Sequence, residues 1–287
     1  MKHVLAATDF SRRGMLAVAR AVAIAKGASA SLTIVHAVDE DLPAKVLKGR
    51  MKEADSLVAA AARAAKAPRA RRQVVRGDVY WALHTAAKMV EADIIVAGDH
   101  RRNVFRDIFR DTTIERLVRV SEVPVLIARR PVTPSYNHAL VGVDSDEGAG
   151  LISILESFGG AAPDKITVLL AFQAPAIGLM YRAAVDRVAI DRHQTEVARK
   201  ARAHLLASLA EHRTRARARV VEGEPAQVLK EFAEGSRCDL IAVSTHARRG
   251  MARLLIGSVS AELLHHGSTD LLVAPRLDSA SRGLSEF

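Results

Sequence analysis

Residues 238–260 read Cys-Asp-Leu-Ile-Ala-Val-Ser-Thr-His-Ala-Arg-Arg-Gly-Met-Ala-Arg-Leu-Leu-Ile-Gly-Ser-Val-Ser, and residues 92–100 read Ala-Asp-Ile-Ile-Val-Ala-Gly-Asp-His. In both stretches an Asp opens an aliphatic run that gives way to small and polar residues and then to His. This pattern is typical of a buried parallel strand followed by a loop. The two stretches lie 146 residues apart in the sequence. The same spacing separates Gly77 from Gly223. A repeat of this length indicates a duplicated domain and not a solenoid unit.

The beginning of the chain fits the same duplication with a shorter spacing. Asp9 follows an aliphatic run and matches Asp144, which lies 135 residues later. An insertion of about eleven residues therefore belongs to the second copy, and a long helix predicted over residues 179–212 accounts for it. We expect one domain at residues 1–130, a second at residues 137–276 and a tail at residues 277–287. Each copy is long enough to bury its own core.

Short aliphatic strands alternate with Ala-rich helices in each copy. This order predicts an α/β fold of two tandem doubly wound, Rossmann-like domains, each a five-stranded parallel sheet with helices on both faces. Ligands of such sheets bind beyond the carboxyl ends of the strands, where the strand order reverses. The predicted strands cover residues 2–8, 31–38, 71–76, 93–98 and 123–128, and then 138–143, 165–171, 217–221, 239–244 and 270–274.

The composition is that of a globular protein with aliphatic cores. Of the 287 residues, 49% are hydrophobic, 26% are charged and 4% are aromatic. The sequence contains no apolar run of the roughly 18 residues that a membrane span needs. The single cysteine, Cys238, excludes an intramolecular disulfide framework and is expected to be a small buried thiol. The first residues enter a strand and do not resemble a signal peptide, so we expect a cytoplasmic protein.

The second copy resembles a known phosphate loop. Residues 242–264 are similar to the signature of the universal stress protein family, in which Gly, two residues, Gly, nine residues and Gly-Ser form the loop. Ser244 and Ala247 stand at the first two glycine positions, and Gly257 and Ser258 keep the last two. The Asp after strand one and the aliphatic fifth strand also resemble the family. The resemblance covers the chain twice and implies a tandem universal stress protein of the adenine nucleotide alpha hydrolase-like type.

This resemblance implies that the second copy binds ATP or another adenine nucleotide as a regulatory ligand, with Mg²⁺ where a triphosphate is bound. It places Asp144 at the nucleoside and Ala171 at the adenine. A Gly-Ser pair at a helix start suits phosphate, because free N–H groups and the helix dipole attract anions. The residues implied in the loop after strand four and at the following helix start are Val243, Ser244, His246, Ala247, Gly257, Ser258, Val259 and Ser260.

The first copy differs at the matched positions. Gly98 keeps the first glycine, but Arg101 takes the second, and Asp111-Thr112 replaces Gly-Ser. An Asp at a helix start stabilises the helix and repels a triphosphate from the same anion site. We therefore expect that the first copy does not bind ATP in the family's manner and that its own side chains fill the site. The first copy retains Asp9, which leaves a ligand other than ATP as an alternative for this copy.

Several of these residues also fit a purely structural role. Asp9 and Asp144 could cap the following helices and bind nothing. The matched His100 and His246 could contact phosphate or be structural, whereas His36 is expected to be a tolerated buried residue. His265 and the adjacent His266 point to different sides of a helix, which disfavours a metal pair.

Three classes of function remain at this stage. The favoured one is a regulatory nucleotide-binding protein with no catalytic role, in which hydrolysis is weak or incidental. The main alternative is a tandem stress protein that binds another small ligand or acts through protein contacts. An enzyme such as a slow phosphotransferase would need Asp144 and Ser258 to organise Mg²⁺.

The basic charge raises the question of a polyanionic partner. The net charge is +10 and the isoelectric point is about 10.2. Strand three is a sheet edge in the family, and Arg residues at 69, 71, 72, 76, 213, 215, 217 and 219 lie on or before it. Charges at an edge prevent strand-to-strand aggregation, and we prefer this role. Binding to nucleic acid is disfavoured because no aromatic residues are interleaved for base stacking. The resemblance also implies an intramolecular pseudo-dimer joined at the fifth strands, and a homodimer of the whole chain stays open.

Overall fold

The computed structural model describes residues 1–38, 43–99, 112–144, 148–175, 177–209, 216–245 and 256–275. The strands of the first half are β1 (His3–Ala7), β2 (Ser31–Val38), β3 (Arg71–Arg76), β4 (Ile94–Gly98) and β5 (Val125–Ala128). Its helices are α1 (Arg12–Gly27), α2 (Ala44–Ala64), α3 (Val79–Met89) and α4 (Thr113–Val120).

The second half repeats this order with one additional helix before its third strand. Its strands are β6 (His138–Val143), β7 (Lys165–Phe172), β8 (Ala216–Glu222), β9 (Leu240–Ser244) and β10 (Asp270–Ala274). Its helices are α5 (Gly148–Glu156), the 3₁₀ turn η1 (Gly159–Ala161), α6 (Ile177–Arg182), α7 (Arg187–Ser208), α8 (Pro225–Gly235) and α9 (Ser258–His265).

A single sheet joins the two halves. Within the described residues, its ten strands lie in the order β3-β2-β1-β4-β5-β10-β9-β6-β7-β8. Neighbouring strands run parallel within each half, and β5 pairs with β10 antiparallel, with Leu126 opposite Leu272. The predicted fold class is therefore confirmed, and the fifth strands meet as the resemblance implied. The strand order of each half reverses beside its first strand, between β1 and β4 and between β6 and β9.

Helices cover both faces of the sheet. Residues of α1, α2, α5 and α7 form one buried cluster with one face of the strands, and residues of α3, α4, α8 and α9 form another with the opposite face. Consecutive residues of β1, namely Val4, Leu5 and Ala6, are all fully buried. Burial on both faces explains why these strands appear in the sequence as continuous aliphatic runs without alternation.

A buried carboxylate holds the seam between the halves. Asp270 begins β10 in the second half and is 0% exposed. Its Oδ1 accepts hydrogen bonds from the backbone N–H groups of Arg129 and Arg130 at 2.8 Å each. Its Oδ2 accepts one from the hydroxyl of Tyr136 at 2.8 Å and lies 3.0 Å from Nε of Arg20. Burial and this nearby negative charge raise the pKa of Tyr136 well above its ordinary value, so the phenol stays a donor.

Two glycines allow a second close approach across the seam. Gly159 has φ +60, and a Cβ added there would lie 2.2 Å from the carbonyl oxygen of Gly27 at the end of α1. A side chain at Gly27 would also collide with η1, since a Cβ on Gly27 would lie 2.4 Å from the backbone nitrogen of Ala161. Glycine is therefore required at both positions, and η1 packs directly on the end of α1.

The predicted long helix of the second half is wrong, because the chain forms two helices there. Ala184 has φ +50 between α6 and α7, and the amide of Val185 donates to the carbonyl of Met180 to close α6. Asp186 then caps α7, with its side chain accepting from the amide of Val188 at 3.3 Å. The insertion itself lies between β7 and β8, as predicted. The predicted strands agree with the structure to within two residues at each end.

A matched trio of polar residues lies at the amino-terminal edge of the sheet in both halves. Asp93 accepts from the amide of His3 at 2.8 Å, and Asp239 accepts from that of His138 at 3.0 Å. Each imidazole Nε2 then contacts a threonine hydroxyl on the neighbouring strand, at 2.8 Å and 2.9 Å respectively. Burial lowers the pKa of both histidines, so both favour the neutral form. These trios fix how each first strand enters the sheet.

Cys238 is buried beside the second trio, as predicted for a small core thiol. Its Sγ lies 3.3 Å from Nδ1 of His138, and burial, with a smaller effect of Asp239, raises the pKa of the thiol to about 11. The thiolate is disfavoured, so the pair resembles no reactive cysteine site.

The predicted edge strands are confirmed. The outer strands of the described sheet are β3 and β8, and Arg217 and Arg219 are exposed on β8.

Within the described ranges, no helix is both long enough and apolar enough to cross a membrane.

Candidate functional site

The candidate site of the second half lies where its strand order reverses. Strands β6 and β9 are neighbours, and Val141 pairs with Ala242, so their carboxyl ends lie side by side. Asp144 follows β6 at the protein surface, and Ser244 ends β9. Such a reversal leaves a crevice between diverging loops, which is the usual ligand position in this class of sheet.

The start of α9 presents backbone hydrogen-bond donors that no described residue satisfies. Gly257 is the N-cap residue, with φ −65 and ψ 158, and as a glycine it has no side chain with which to cap the helix. Among the described residues, none accepts a hydrogen bond from the amides of Ser258 and Val259. The first amides of a helix lack intrahelical partners and carry the positive end of the dipole. This helix start is therefore suited to hold an anion.

The equivalent helix start of the first half is closed by its own side chains. The hydroxyl of Thr112 accepts from the amide of Glu115 at 3.2 Å, and Oε2 of Glu115 accepts from the amide of Thr112 at 2.7 Å. The second carboxylate oxygen, Oε1, lies 2.9 Å from Nε2 of His265 at the end of α9. The glutamate is 5% exposed, so a carboxylate occupies the position where a phosphate would bind. Asp111, the residue to which we assigned this role, lies outside the described residues.

The remaining described candidates contribute in different ways. Val243 is buried in the core, so its side chain provides a wall and no polar contact. Ala171 is half-buried at the end of β7. The hydroxyl of Ser260 donates to the carbonyl of Ser244 at 3.2 Å, which ties the start of α9 to the end of β9. Ser260 thus positions the helix, and its hydroxyl is already engaged.

Several predicted residues cannot be placed. His246 and Ala247 of the second half lie outside the described residues, and so do His100 and Arg101 of the first half. The structure brings together the start of α9, Ser244 and the ends of β6 and β7, which are the described parts of the predicted site.

Asp9 of the first half takes part in local capping. Its Oδ1 accepts from both the amide and the hydroxyl of Ser11, at 3.0 Å and 2.5 Å, and the hydroxyl oxygen of Ser11 accepts from the amide of Gly14 to begin α1. A Cβ at Gly14 would lie 2.4 Å from that same Asp9 oxygen. The structural role that we weighed for this aspartate is therefore present.

A cavity of about 400 Å³ lies in the first half and is lined in part by Phe10 and His36. Nδ1 of His36 donates to the carbonyl oxygen of Thr8 at 2.8 Å, and the imidazole ring packs against Phe10 with ring centroids 4.3 Å apart. The remaining lining comes largely from apolar residues of β2 and α2, such as Val38 and Leu57. The expectation of a buried His36 is only partly met, since its half-buried ring faces this cavity.

The family of the chain follows from comparison with known proteins. The model of the universal stress protein family matches residues 1–129 and again residues 135–275. The chain belongs to the universal stress protein family. Two tandem copies of the domain are thus present, as the duplicated sequence indicated.

A solved structure from Archaeoglobus fulgidus supports the same fold over nearly the entire chain. A universal stress protein from Archaeoglobus fulgidus covers 96% of this chain, and 98% of that chain is covered, at 13% identity and a TM-score of 0.65. A universal stress protein solved in complex with cAMP covers 47% of this chain and 98% of its own, at 27% identity and a TM-score of 0.38. Among curated relatives, a universal stress protein of Methanocaldococcus jannaschii is 35% identical over 57 residues. That match spans 20% of this chain and 34% of the relative.

Proposed function

We propose that this universal stress protein is a cytoplasmic regulatory protein whose second half binds ATP or another adenine nucleotide. The proposed nucleotide site comprises the predicted residues around Ser244 and Gly257, with domain limits at residues 1–130 and 137–276. The nucleotide acts as a bound signal and not as a substrate. One observation carries the proposal: among the described residues, α9 begins at Gly257 without a side-chain cap, whereas α4 begins with a complete capping box.

This contrast favours phosphate in the second half for a physical reason. A phosphate at the start of α9 would satisfy amides that have no described acceptor and would complement the helix dipole. At the start of α4 the same group would displace Thr112 and meet the buried carboxylate of Glu115. Two negative charges in one poorly solvated position repel strongly, so the first half rejects a triphosphate.

The remaining proposed contacts follow the strand ends. Asp144 lies at the surface beyond β6, where a carboxylate can accept hydrogen bonds from ribose hydroxyls. Ala171 lies next to the end of the neighbouring strand β7 and offers a small apolar contact for the base. Mg²⁺ would enter with the triphosphate, because the described residues contain no cluster of three acidic, histidine or cysteine side chains able to hold a metal.

ATP titration of three proteins tests the proposal. Gly257→Asp places a carboxylate at the start of α9 and is expected to weaken ATP binding by at least about tenfold. Gly235→Asp adds the same charge at the end of α8, where a new side chain meets nothing within 4 Å, and should bind ATP like the wild type. Equal ATP affinity in all three proteins would exclude the phosphate site.

Mass spectrometry of the ligand released from freshly purified protein identifies the bound molecule directly. An enzyme would be indicated if Asp144→Asn abolished ATP turnover while ATP binding persisted.

The cavity beside His36 and Phe10 favours a second candidate, in which the first half binds an apolar ligand without phosphate. A released ligand that binds equally well to Gly257→Asp, but not to Leu57→Glu, would support this alternative over the nucleotide.

A further inference from the structure

A second cavity lies at the opposite edge of the first half. Its volume is about 520 Å³, and it opens between the ends of α1 and α2 and the starts of β2 and β3. Sites for small molecules usually measure about 300–1,000 Å³. The proposed nucleotide site lies beyond the carboxyl ends of the strands, whereas this cavity lies at their amino ends. The two are therefore separate sites.

The walls of this cavity are apolar. Val22 and Ala25 of α1 are buried, and Leu32 of β2 is partly buried. Ala70, just before β3, closes the remaining side. A surface of this kind gains free energy when it leaves water against the hydrocarbon part of a ligand.

The rim carries only positive formal charge. Lys26, Lys66 and Arg69 line the cavity and are exposed, and no carboxylate lines it. Within the part of the chain that the structure describes, none of the three forms an ion pair. Unpaired cations around an apolar surface match a molecule with an anionic head and an apolar body.

The negative ends of two helix dipoles partly offset the positive charge at the rim. Both α1 and α2 end at the cavity, and each C-terminus carries roughly half a negative charge. Together the two ends offset about one of the three cations. The carbonyls of Ala25 and Ala62 already accept from the amides of Ala30 and Ala67, at 2.8 Å and 2.9 Å. A net charge of about +2 remains at the rim, so anions are favoured.

We infer that this cavity binds a small organic anion with a compact apolar body, such as a medium-chain carboxylate. The cations around Lys26 hold the carboxylate, and the walls formed by Leu32 and Ala25 cover the hydrocarbon chain. The same chemistry occurs in a free carboxylate and in an anionic lipid. The modest size of the cavity favours the free molecule.

Calorimetric titration with decanoate, and with decanol as the neutral counterpart, tests this inference. The double variant Lys26→Glu, Lys66→Glu should bind decanoate at least about tenfold more weakly than the wild type. The matched control, Lys48→Glu with Lys52→Glu, makes the same charge change on exposed positions of α2 outside the cavity. It should keep decanoate affinity within about twofold of the wild type.

A third variant and a co-sedimentation assay with lipid vesicles complete the test. Ala70→Phe fills the cavity without altering charge and should also abolish decanoate binding. The inference is overturned if decanol binds as tightly as decanoate, or if both double variants weaken binding equally. It is also overturned if the wild type ignores decanoate but co-sediments with phosphatidylglycerol vesicles through Lys26 and Lys66.

Discussion

The side chains of Arg20 and Asp270 meet across the seam of the two halves with exposures of 2% and 0%, and Nε lies 3.0 Å from Oδ2. This Nε–H is not directed at an acceptor, so the contact is a charge pair and not a hydrogen bond. The terminal guanidinium nitrogens instead donate to the carbonyls of Thr133 and Pro131 at 3.3 Å each. The guanidinium also lies 4.3 Å from the ring centroid of Tyr136. One carboxylate thereby holds α1, the segment between β5 and β6, and β10 together.

Asp270→Asn should destabilise the protein strongly. The change leaves the Arg20 cation buried without its counter-charge, and breaking a buried pair in this way typically costs about 3–5 kcal/mol. Urea unfolding measures the difference. As a control, Glu196→Gln breaks an exposed pair with Arg199 and should leave the unfolding midpoint nearly unchanged. A similar small effect for Asp270→Asn would show that this seam is not held by charge.

Gly159→Ala should also destabilise the seam, by roughly 2–5 kcal/mol, because the new methyl group meets the carbonyl of Gly27 and alanine disfavours φ +60. Its neighbour provides the control. A Cβ at Gly160 would lie 3.5 Å from the nearest atom, so Gly160→Ala should be close to neutral or slightly stabilising. Thermal unfolding of the two variants compares them directly, and equal melting temperatures would contradict the predicted close contact.

Thr112→Ala removes the cap of α4 and should cost about 1 kcal/mol, the usual value for a lost N-cap side chain. Ser258→Ala removes the matched hydroxyl in the second half, where it caps nothing, and should leave stability nearly unchanged. Denaturant melts of both variants check the asymmetry. If Ser258→Ala proved as costly as Thr112→Ala, the start of α9 would not be open.

Acid should destabilise the protein partly through His138. Burial lowers the pKa of this histidine in the folded protein below 6.5, while the unfolded chain keeps the ordinary value. The unfolded state therefore binds the proton first, and stability falls as the pH drops below about 6.5. His138→Gln should flatten that fall between about pH 7 and pH 5 when the free energy of unfolding is measured at several pH values. Parallel pH slopes in the wild type and the variant would argue against this role.

Cys238 should resist labelling by a thiol reagent in the folded protein. With a thiol pKa of about 11, roughly 0.1% is ionised at pH 8, and the side chain is 1% exposed. The same reagent in urea should modify one thiol per chain. Rapid labelling of the native protein would require an open route to the amino-terminal edge of β9.

The ten strands could be predicted from their short, continuous aliphatic runs. Such runs arise because both faces of each strand are buried, so no polar residues alternate with the apolar ones. The break between α6 and α7 was missed because it falls at Ala184, and no glycine or proline marks it. Asp270 was missed because its partners, such as Arg20, lie far away in sequence. The capping box was legible as Thr112-Thr-Ile-Glu115, a standard pattern for a helix start. The expectation that side chains fill this site was based on the adjacent Asp111, which lies outside the described residues, whereas the described cap is formed by Thr112 and Glu115.

The antiparallel pairing of β5 and β10 has a consequence for how such a chain can evolve. Two identical subunits joined at this seam would carry every substitution twice, once on each side of the axis. In the fused chain, Asp270 can be acidic while the matched position holds Pro124, so a single carboxylate crosses the seam without a like-charged twin. Covalent linkage has freed the two copies from symmetry, which allows one helix start to remain open while the other closes.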